Sequence, residues 1–561
     1  MGSPVTARSI GTGVARAALV IAVATLLSRV AGFARTLVFS TSVGATEVGD
    51  VYQTVNTLPN VVYEIAAGGV LAAVAVPLVA RQLALGRDRE ADQTASALLS
   101  WAVVVLAPLS VIVALVAPWA SRALLSSRAS DASVLLGQEM LVLFAPQVLL
   151  YGIGIVLSGV LQARHRFLAA AIAPLLSSIV VIAAYLAYRQ VAGTGATPAT
   201  IGPDALWVLA GGTTLGVVVL SLPLLVPVWR AGVRLRPTLR FPDGTAGRAR
   251  SLAGSGLVAL VAQQVAVFVT LWVTHHKTSA VGTVNVYQYV QAVYLLPYAV
   301  LAVPIATSAF PTLAHTTTVE DAAGAADAGA AGLLPGTGAR ETLARSLRGI
   351  ILFVAAAAAV LMAVSKPVGE FFQAIDPAGD RSAALAALPG ALAAYAPGVV
   401  GFGVAALLTR ALYVRGRPLY AALAVAAGWA VAALLPVFAL SSGSTAGATL
   451  GVLGVASSLG MTLSALLLAW LVRRAWGPEA LAGSGRTLGA AVVGVAVGLV
   501  VGDTVLRRLD SGGGASGAVL DGVVVAVAVA LVYLGVMMLA DRGAMKALRE
   551  RGRARRRGDG A

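Results

Sequence analysis

The stretch LLSRVAGFAR, residues 26–35, lies in an apolar run that we place at residues 16–38. It carries Arg29 and Arg35 at positions where a segment that crosses a lipid bilayer should be uncharged. Similar apolar runs recur along the whole 561-residue chain. About 20 such residues span a bilayer core as a helix. The runs are continuous and do not alternate as in membrane β-strands. The sequence therefore predicts an all-α polytopic membrane protein.

Composition agrees with this fold class and excludes several chemistries. The chain is 58% hydrophobic and 11% charged, whereas soluble proteins carry about 25% charged residues. There is no cysteine, which excludes disulfides and thiolate metal sites. With four histidines, two of them adjacent at His275 and His276, we predict no metal site and no cofactor. The net charge of +16 is expected of loops that face anionic lipid, and no soluble basic domain suggests nucleic-acid binding.

The apolar runs predict about fourteen transmembrane helices. When the N-terminus is placed in the cytoplasm, most of the 40 Lys and Arg residues fall in cytoplasmic segments, as the positive-inside rule requires. Both termini are therefore predicted to be cytoplasmic. The predicted spans are 16–38, 51–80, 96–119, 134–163, 168–188, 206–229, 252–275, 286–313, 346–365, 384–409, 418–440, 446–472, 487–506 and 517–540.

An internal repeat relates the predicted spans. LQARHR (161–166) and LYVRGR (412–417) share the pattern L-x-x-R-x-R at the ends of the fourth and tenth spans. The second and eighth spans end in VPLVAR (76–81) and FPTLAH (310–315). Both matches have an offset of six helices, which predicts two parallel six-helix repeats followed by two extra C-terminal helices. Parallel repeats are typical of transporters whose substrate site lies between the halves.

The predicted spans and the composition of the segments between them indicate a domain organisation. Residues 316–344 are rich in Ala and Gly, which predicts a flexible insert. The final residues are basic and are expected to contact anionic lipid. The predicted regions are a cytoplasmic N-terminus (1–15), an N-lobe of six helices (16–229), a basic cytoplasmic linker (230–251), a C-lobe of six helices (252–472) containing the insert, the last two helices (473–541) and a basic cytoplasmic tail (542–561).

The two arginines of the first span are the leading candidates for substrate binding. At 100° per residue, Arg29, Gly32 and Arg35 fall within an arc of about 120° on one helix face. Guanidinium groups bind phosphate oxygens in pairs, so this face suits a pyrophosphate in a water-filled cavity. Arg35 lies nearer the predicted outer end and could instead extend to the membrane surface; Arg29 is deeper, thirteen residues beyond Arg16.

The second span carries a polar stripe, and the second half of the chain contributes further amides. Such side chains can bind a sugar or peptide, and they equally form ordinary helix–helix hydrogen bonds. Glu64, the deepest acid, could pair with Arg29, titrate or bind a coupling cation. Helix flexibility is expected at Gly32, Pro59, Gly68 and Gly69. The candidate cavity residues are Asp50, Gln53, Asn56, Asn60, Glu64, Gln264, Gln288 and Gln291.

Several motifs resemble those of the MurJ/MviN family. They are SRVAGFAR (28–35), GATEVGDVYQTVNTLPN (44–60), GGVLAAVAVPLVAR (68–81) and LTRALYVRGRP (408–418). The resemblance implies a flippase, and no enzyme, of the multidrug/oligosaccharidyl-lipid/polysaccharide (MOP) exporter superfamily. Such flippases move lipid II, the undecaprenyl-pyrophosphate-linked peptidoglycan precursor, from the inner to the outer leaflet of the bacterial cytoplasmic membrane by alternating access.

The resemblance also assigns residues, with departures. Arg29 and Arg35 match the family's first-span arginines, which are thought to meet the pyrophosphate, and Asp50 matches an acid at the start of the second span. An arginine pair of the family is replaced by Tyr63 and Glu64, and an arginine of the eighth span is missing near Ala292.

Other functions stay open at this point. They are a flippase for another polyprenyl-linked glycan, a drug exporter, a membrane enzyme and a non-transporting scaffold for cell-wall assembly. The cationic first span argues against a cationic drug, and the predicted outer carboxylates form no constellation that an enzyme would need. The expected partners are lipid II or a related polyprenyl-pyrophosphate lipid, membrane lipids and cell-wall synthesis proteins. The coupling ion is left open.

Overall fold

The computed structural model describes residues 7–65, 72–125, 129–193, 195–242, 257–310, 313, 337–509 and 512–540. Within these ranges the secondary structure is helical, without a strand. Thirteen helices there are long and apolar enough to cross a membrane. The predicted all-α polytopic fold is confirmed, and the predicted number of fourteen is approximate.

The chain divides into two compact units, Met1–Leu260 and Val261–Ala561. In the first unit, a π-helical turn at Trp207–Gly211 and a 3-10 turn at Leu222–Leu224 interrupt the last span. The helices of this unit are α1 (Ala7–Ser42), α2 (Glu47–Tyr63), α3 (Ala72–Ala84), α4 (Asp88–Leu115), α5 (Ala117–Leu124), α6 (Asp131–Phe144), α7 (Pro146–Ala163), α8 (Phe167–Ala192), α9 (Pro203–Leu206), α10 (Gly212–Ser221) and α11 (Leu225–Arg230).

The second unit has the same helical character. The helix at its boundary, Leu257–His276, opens the series. A π-helical turn at Tyr298–Ala302 lies within the span Thr283–Phe310. The further helices are Thr283–Pro297, Thr337–Ala363, Ser365–Ile375, Ala383–Ala386, Leu388–Tyr395, Gly398–Val414, Pro418–Ala439, Ala446–Trp476, Ser484–Leu506 and Ala515–Ala540.

Of the predicted span 51–80, the described residues belong to α2, a π-helical pair at 64–65 and α3, and residues 66–71 lie outside the described ones. The Oγ1 of Thr46 accepts a hydrogen bond from the Gly49 amide at 3.2 Å and caps α2. Pro59 is buried inside α2, and the helix continues beyond it to Tyr63. Gly68 and Gly69, predicted as flexible positions, lie outside the described residues.

The predicted insert 316–344 ends earlier than we expected. The helix Thr337–Ala363 already includes its last eight positions, while residues 314–336 lie outside the described ones. Ala339, Leu343 and Leu347 are buried at four-residue spacing, which is the pattern of a helix with one packed face. This apolar face explains why the segment is helical despite the Ala/Gly-rich sequence before it.

The two L-x-x-R-x-R segments form the same turn. Each ends a helix with a residue in the left-handed region, His165 (φ 58°) in one and Gly416 (φ 66°) in the other. A left-handed residue just after a helix allows the next amide to reach back to the last turn. In the first turn the Arg166 amide donates to the Leu161 carbonyl at 2.8 Å, and in the second the Arg417 amide donates to the Leu412 carbonyl at 2.9 Å.

Candidate functional site

The predicted cationic face is open on the surface of α1. This helix packs against α8, where Ser28 donates a hydrogen bond to the Ala171 carbonyl at 2.8 Å. Arg29 and Arg35 are both exposed. A Cβ placed on Gly32 would meet no atom within 4 Å. The two guanidinium groups therefore flank a shallow, unobstructed strip of helix.

No described carboxylate forms an ion pair with either arginine. The ion pair between Arg29 and Glu64 that the sequence suggested is therefore not formed in the described part of the structure. An exposed, unpaired guanidinium keeps its five N–H donors available. The strip can accept an anion without first breaking an internal salt bridge.

A buried aromatic network holds the end of α1 that carries Arg35. The Tyr52 hydroxyl forms hydrogen bonds with the Tyr185 hydroxyl at 2.9 Å and with Thr213 Oγ1 at 2.8 Å. The Phe39 ring lies 5.4 Å from the ring of Tyr52 and 5.2 Å from that of Tyr185. Arg35 lies within electrostatic range of both tyrosines. These contacts fix α1 against α2, α8 and α10, and with them the position of Arg35.

Tyr151 on α7 joins the predicted residues of α2 and lies within electrostatic range of Arg35 and Glu64. Its hydroxyl donates to Asn60 Oδ1 at 3.0 Å, and its ring centroid lies 4.3 Å from that of Tyr63. Asn60 and Tyr63 thus contact one half-buried phenol, and Arg35 and Glu64 act on it electrostatically. Sequence reasoning missed Tyr151, which is a single aromatic residue in the apolar run LLYGIGIV and carries no pattern.

The other residues of the polar stripe on α2 differ in their exposure to solvent. Asp50 is only 9% exposed, whereas Glu64 at the other end is exposed. Gln53 is half-buried. Asn56 Oδ1 is buried and has no hydrogen-bond partner among the described residues. An unsatisfied buried carbonyl costs about 1–3 kcal/mol, and Asn56 is the residue of the stripe whose side-chain oxygen is left without a partner.

The predicted amides Gln264, Gln288 and Gln291 belong to the second unit. Gln264 is 4% exposed, and Gln288 is half-buried. Gln291 Nε2 donates to the Tyr287 hydroxyl at 3.1 Å. This hydrogen bond joins two side chains of the same helix. Such bonding is the alternative to sugar or peptide binding that the sequence analysis left open for these amides.

The described residues contain no group of three or more His, Asp or Glu side chains that could hold a metal ion. The side chains that α1 and α2 bring to the candidate site are arginine, amide, phenol and carboxylate groups.

Comparison with known proteins places the chain in a family. The family model described as "Lipid II flippase MurJ" matches residues 39–514. The chain belongs to the MurJ family. A curated relative, the probable lipid II flippase MurJ of Rhizobium meliloti (strain 1021), is 28% identical over 298 residues. That match covers 52% of this chain and 53% of the relative, so the chain spans about half the length of the curated relatives it matches.

Solved structures confirm the fold of this MurJ family member. A structure titled "Lipid II flippase MurJ, inward closed conformation" has a TM-score of 0.70 at 15% identity and covers 92% of this chain and 98% of that chain. An inward-facing multidrug resistance MATE family transporter of the MOP superfamily has a TM-score of 0.61 at 13% identity, with coverages of 82% and 98%. The chain is a multi-pass membrane protein with the MOP fold.

Proposed function

We propose that this MurJ family member is a lipid II flippase. It would carry the undecaprenyl-pyrophosphate-linked peptidoglycan precursor from the inner to the outer leaflet of the bacterial cytoplasmic membrane, and so supply cell-wall synthesis. The observation that carries the proposal is the open strip Arg29–Gly32–Arg35, on a chain whose family model matches residues 39–514.

The strip suits the charged part of such a substrate. A charged side chain in a membrane helix costs about 2.5–3.5 kcal/mol at mid-bilayer, so two unpaired arginines require water or an anion. A pyrophosphate supplies several acceptor oxygens for guanidinium groups, which bind them in a bidentate manner. The half-buried pair Tyr151 and Asn60 is proposed to form further hydrogen bonds with the polar groups beyond the pyrophosphate, through the remaining capacity of the hydroxyl and the amide.

The proposed transport cycle is alternating access. In MOP transporters with parallel repeats, the halves alternate in their access to the two sides. A ligand shifts such an equilibrium only by its differential affinity for the two states, and we assign that difference to the anion bound at Arg29 and Arg35. The sequence has no nucleotide-binding motif, so an ion gradient or the membrane potential is the proposed energy source. Both termini are proposed to be cytoplasmic, and no cofactor is required.

Genetic complementation tests this function. Cells depleted of their own lipid II flippase would receive the wild-type chain, Arg29→Ala, Arg35→Ala or the control Arg122→Ala, which removes an exposed arginine at the end of α5. We expect the wild type and the control to restore growth, and both α1 variants to fail at matched membrane levels.

The outcomes separate the alternatives. Failure of the wild-type chain to rescue despite correct membrane insertion would overturn lipid II flipping, and favour another polyprenyl-linked glycan or a scaffold role. Rescue by both α1 variants would show that the two arginines do not bind the substrate.

A further inference from the structure

A non-helical segment that follows α11 is held along α4 by a regular set of hydrogen bonds. We name residues 233–240 the strap. Alternate amides of the strap donate to side chains that are four residues apart on α4. The bonds are Arg234 N to Asp92 Oδ2 at 3.0 Å, Arg236 N to Ser96 Oγ at 3.0 Å and Thr238 N to Ser100 Oγ at 3.1 Å.

This register has a simple geometric origin. Two residues of an extended chain advance by about 6.6–6.8 Å, and four residues of an α-helix rise by about 6 Å. The two repeats nearly match, so the amides of Arg234, Arg236 and Thr238 each meet a helix side chain, while the Arg240 amide donates to Thr238 Oγ1 at 3.2 Å. Two side chains of α4 also donate back to strap carbonyls. These bonds are Gln93 Nε2 to Arg240 O at 3.2 Å and Trp101 Nε1 to Leu239 O at 3.0 Å.

The fixed register aligns three arginines. Side chains at alternate positions of an extended chain lie on the same face, which places Arg234, Arg236 and Arg240 in one row. All three are exposed, and none forms an ion pair with a described carboxylate. Asp92, the acid that the strap contacts, is already bound by the Arg164 guanidinium at 2.8 Å and by the Arg234 amide. The row is therefore a set of guanidinium groups without an ion pair to a described carboxylate, on a backbone segment that is hydrogen-bonded to α4.

Large exposed apolar side chains lie on the strap itself, on α4 beneath it and on α11 before it. Trp101 is 43% exposed, Leu239 48% and Trp229 76%. The strap ends beside Trp101, on a helix that is itself a candidate membrane span, Asp88–Leu115. Tryptophan is enriched where a protein crosses the boundary between lipid and water. The combination of these arginines and exposed tryptophans next to a span is the chemistry of a membrane interface.

We propose that the strap is a binding site for the headgroup phosphate of an anionic phospholipid, with Arg234, Arg236 and Arg240 on the phosphate and the exposed Trp101 against the acyl chains. Basic groups at the membrane surface attract anionic lipids, and arginine favours phosphate because its planar fork donates two hydrogen bonds at once. The site is separate from the strip on α1 and does not depend on flippase activity.

Lipid retention measures this binding directly. The full-length chain would be purified in detergent with phosphatidylglycerol or phosphatidylcholine, and bound lipids counted by native mass spectrometry. The variants are Arg234→Gln/Arg236→Gln/Arg240→Gln and, with equal charge removed elsewhere, Arg122→Gln/Arg189→Gln/Arg381→Gln. We expect the strap variant to retain at least fivefold less phosphatidylglycerol than the wild type, and the control variant to retain as much as the wild type.

A second variant keeps every arginine and tests whether the hydrogen bonds between the strap and α4 are needed to align them. Ser96→Ala/Ser100→Ala removes two acceptors of the strap amides and should lower phosphatidylglycerol retention at least twofold. Unchanged retention in both the arginine and the serine variants would overturn the proposal, as would equal retention of phosphatidylcholine. Displacement of the lipid by millimolar inorganic pyrophosphate as readily as by added phosphatidylglycerol would assign the row to a soluble phosphate and overturn the lipid site.

Discussion

The hydroxyl of Tyr151 donates a hydrogen bond to Asn60 Oδ1 across 3.0 Å, and this bond links α7 to the polar stripe of α2. The same ring packs on Tyr63. Tyr151 thereby holds the part of α2 that would face the substrate beyond its pyrophosphate, and it does so from a helix on which sequence analysis placed no functional residue.

Replacement of Tyr151 by Phe should therefore weaken transport more than it weakens folding. The ring and its packing on Tyr63 remain, while Asn60 loses one hydrogen bond, which costs about 0.5–1.5 kcal/mol of stability. Thermal unfolding should shift by only a few degrees, and complementation should fall clearly at matched expression. Tyr420→Phe, at an exposed position, serves as the control and should leave both measurements unchanged. Full rescue by Tyr151→Phe would contradict a role for the hydroxyl in the transport site.

Neutralisation of Glu64 should strengthen the binding of a pyrophosphate lipid. Glu64 is exposed at the end of α2 and acts electrostatically on Tyr151, as Arg35 does. Its carboxylate therefore opposes the positive charge that we expect to hold the anion, by an amount on the order of 1 kcal/mol. Glu64→Gln should raise the affinity for undecaprenyl pyrophosphate about fivefold, measured by tryptophan fluorescence titration in detergent. Glu479→Gln, in the second unit, removes an equal charge and should have no effect; a lower affinity in Glu64→Gln would reverse the assigned role.

The sequence predicts the helical fold well because apolar run length alone specifies a membrane span. The face formed by Arg29, Gly32 and Arg35 is likewise predictable, since all three residues belong to one helix with a known angular repeat. Contacts between helices are not encoded in this way. The Tyr151–Asn60 bond joins positions 91 residues apart, and the strap depends on a match between an extended chain and α4. Neither has a local pattern, so only the structure shows them.

The left-handed turn at His165 predicts an asymmetry between the two related turns. A residue with a Cβ in the left-handed region costs about 1–2 kcal/mol relative to the right-handed one, and glycine avoids this cost. Gly416→Ala should therefore lower the melting temperature of the purified protein, whereas His165→Gly should keep or raise it. The His165 ring lies 6.0 Å from that of Phe167, so the gain at that site is reduced by a lost contact. A lower melting temperature for His165→Gly than for Gly416→Ala would show that φ is not the deciding factor.

The close approach of two helices in the second unit makes Gly460 sensitive to a single methyl group. A Cβ at Gly460 would lie 2.3 Å from the Gly428 carbonyl oxygen, because Ala446–Trp476 and Pro418–Ala439 meet there backbone to backbone. Small residues permit such contacts in membrane proteins, and overpacking typically costs about 1–3 kcal/mol. Gly460→Ala should therefore lower the melting temperature. Gly451 lies on the same helix with no atom within 4 Å of its Cβ position, so Gly451→Ala should be neutral or stabilising by up to about 1 kcal/mol. Equal melting temperatures for the two variants would contradict the backbone contact at Gly460.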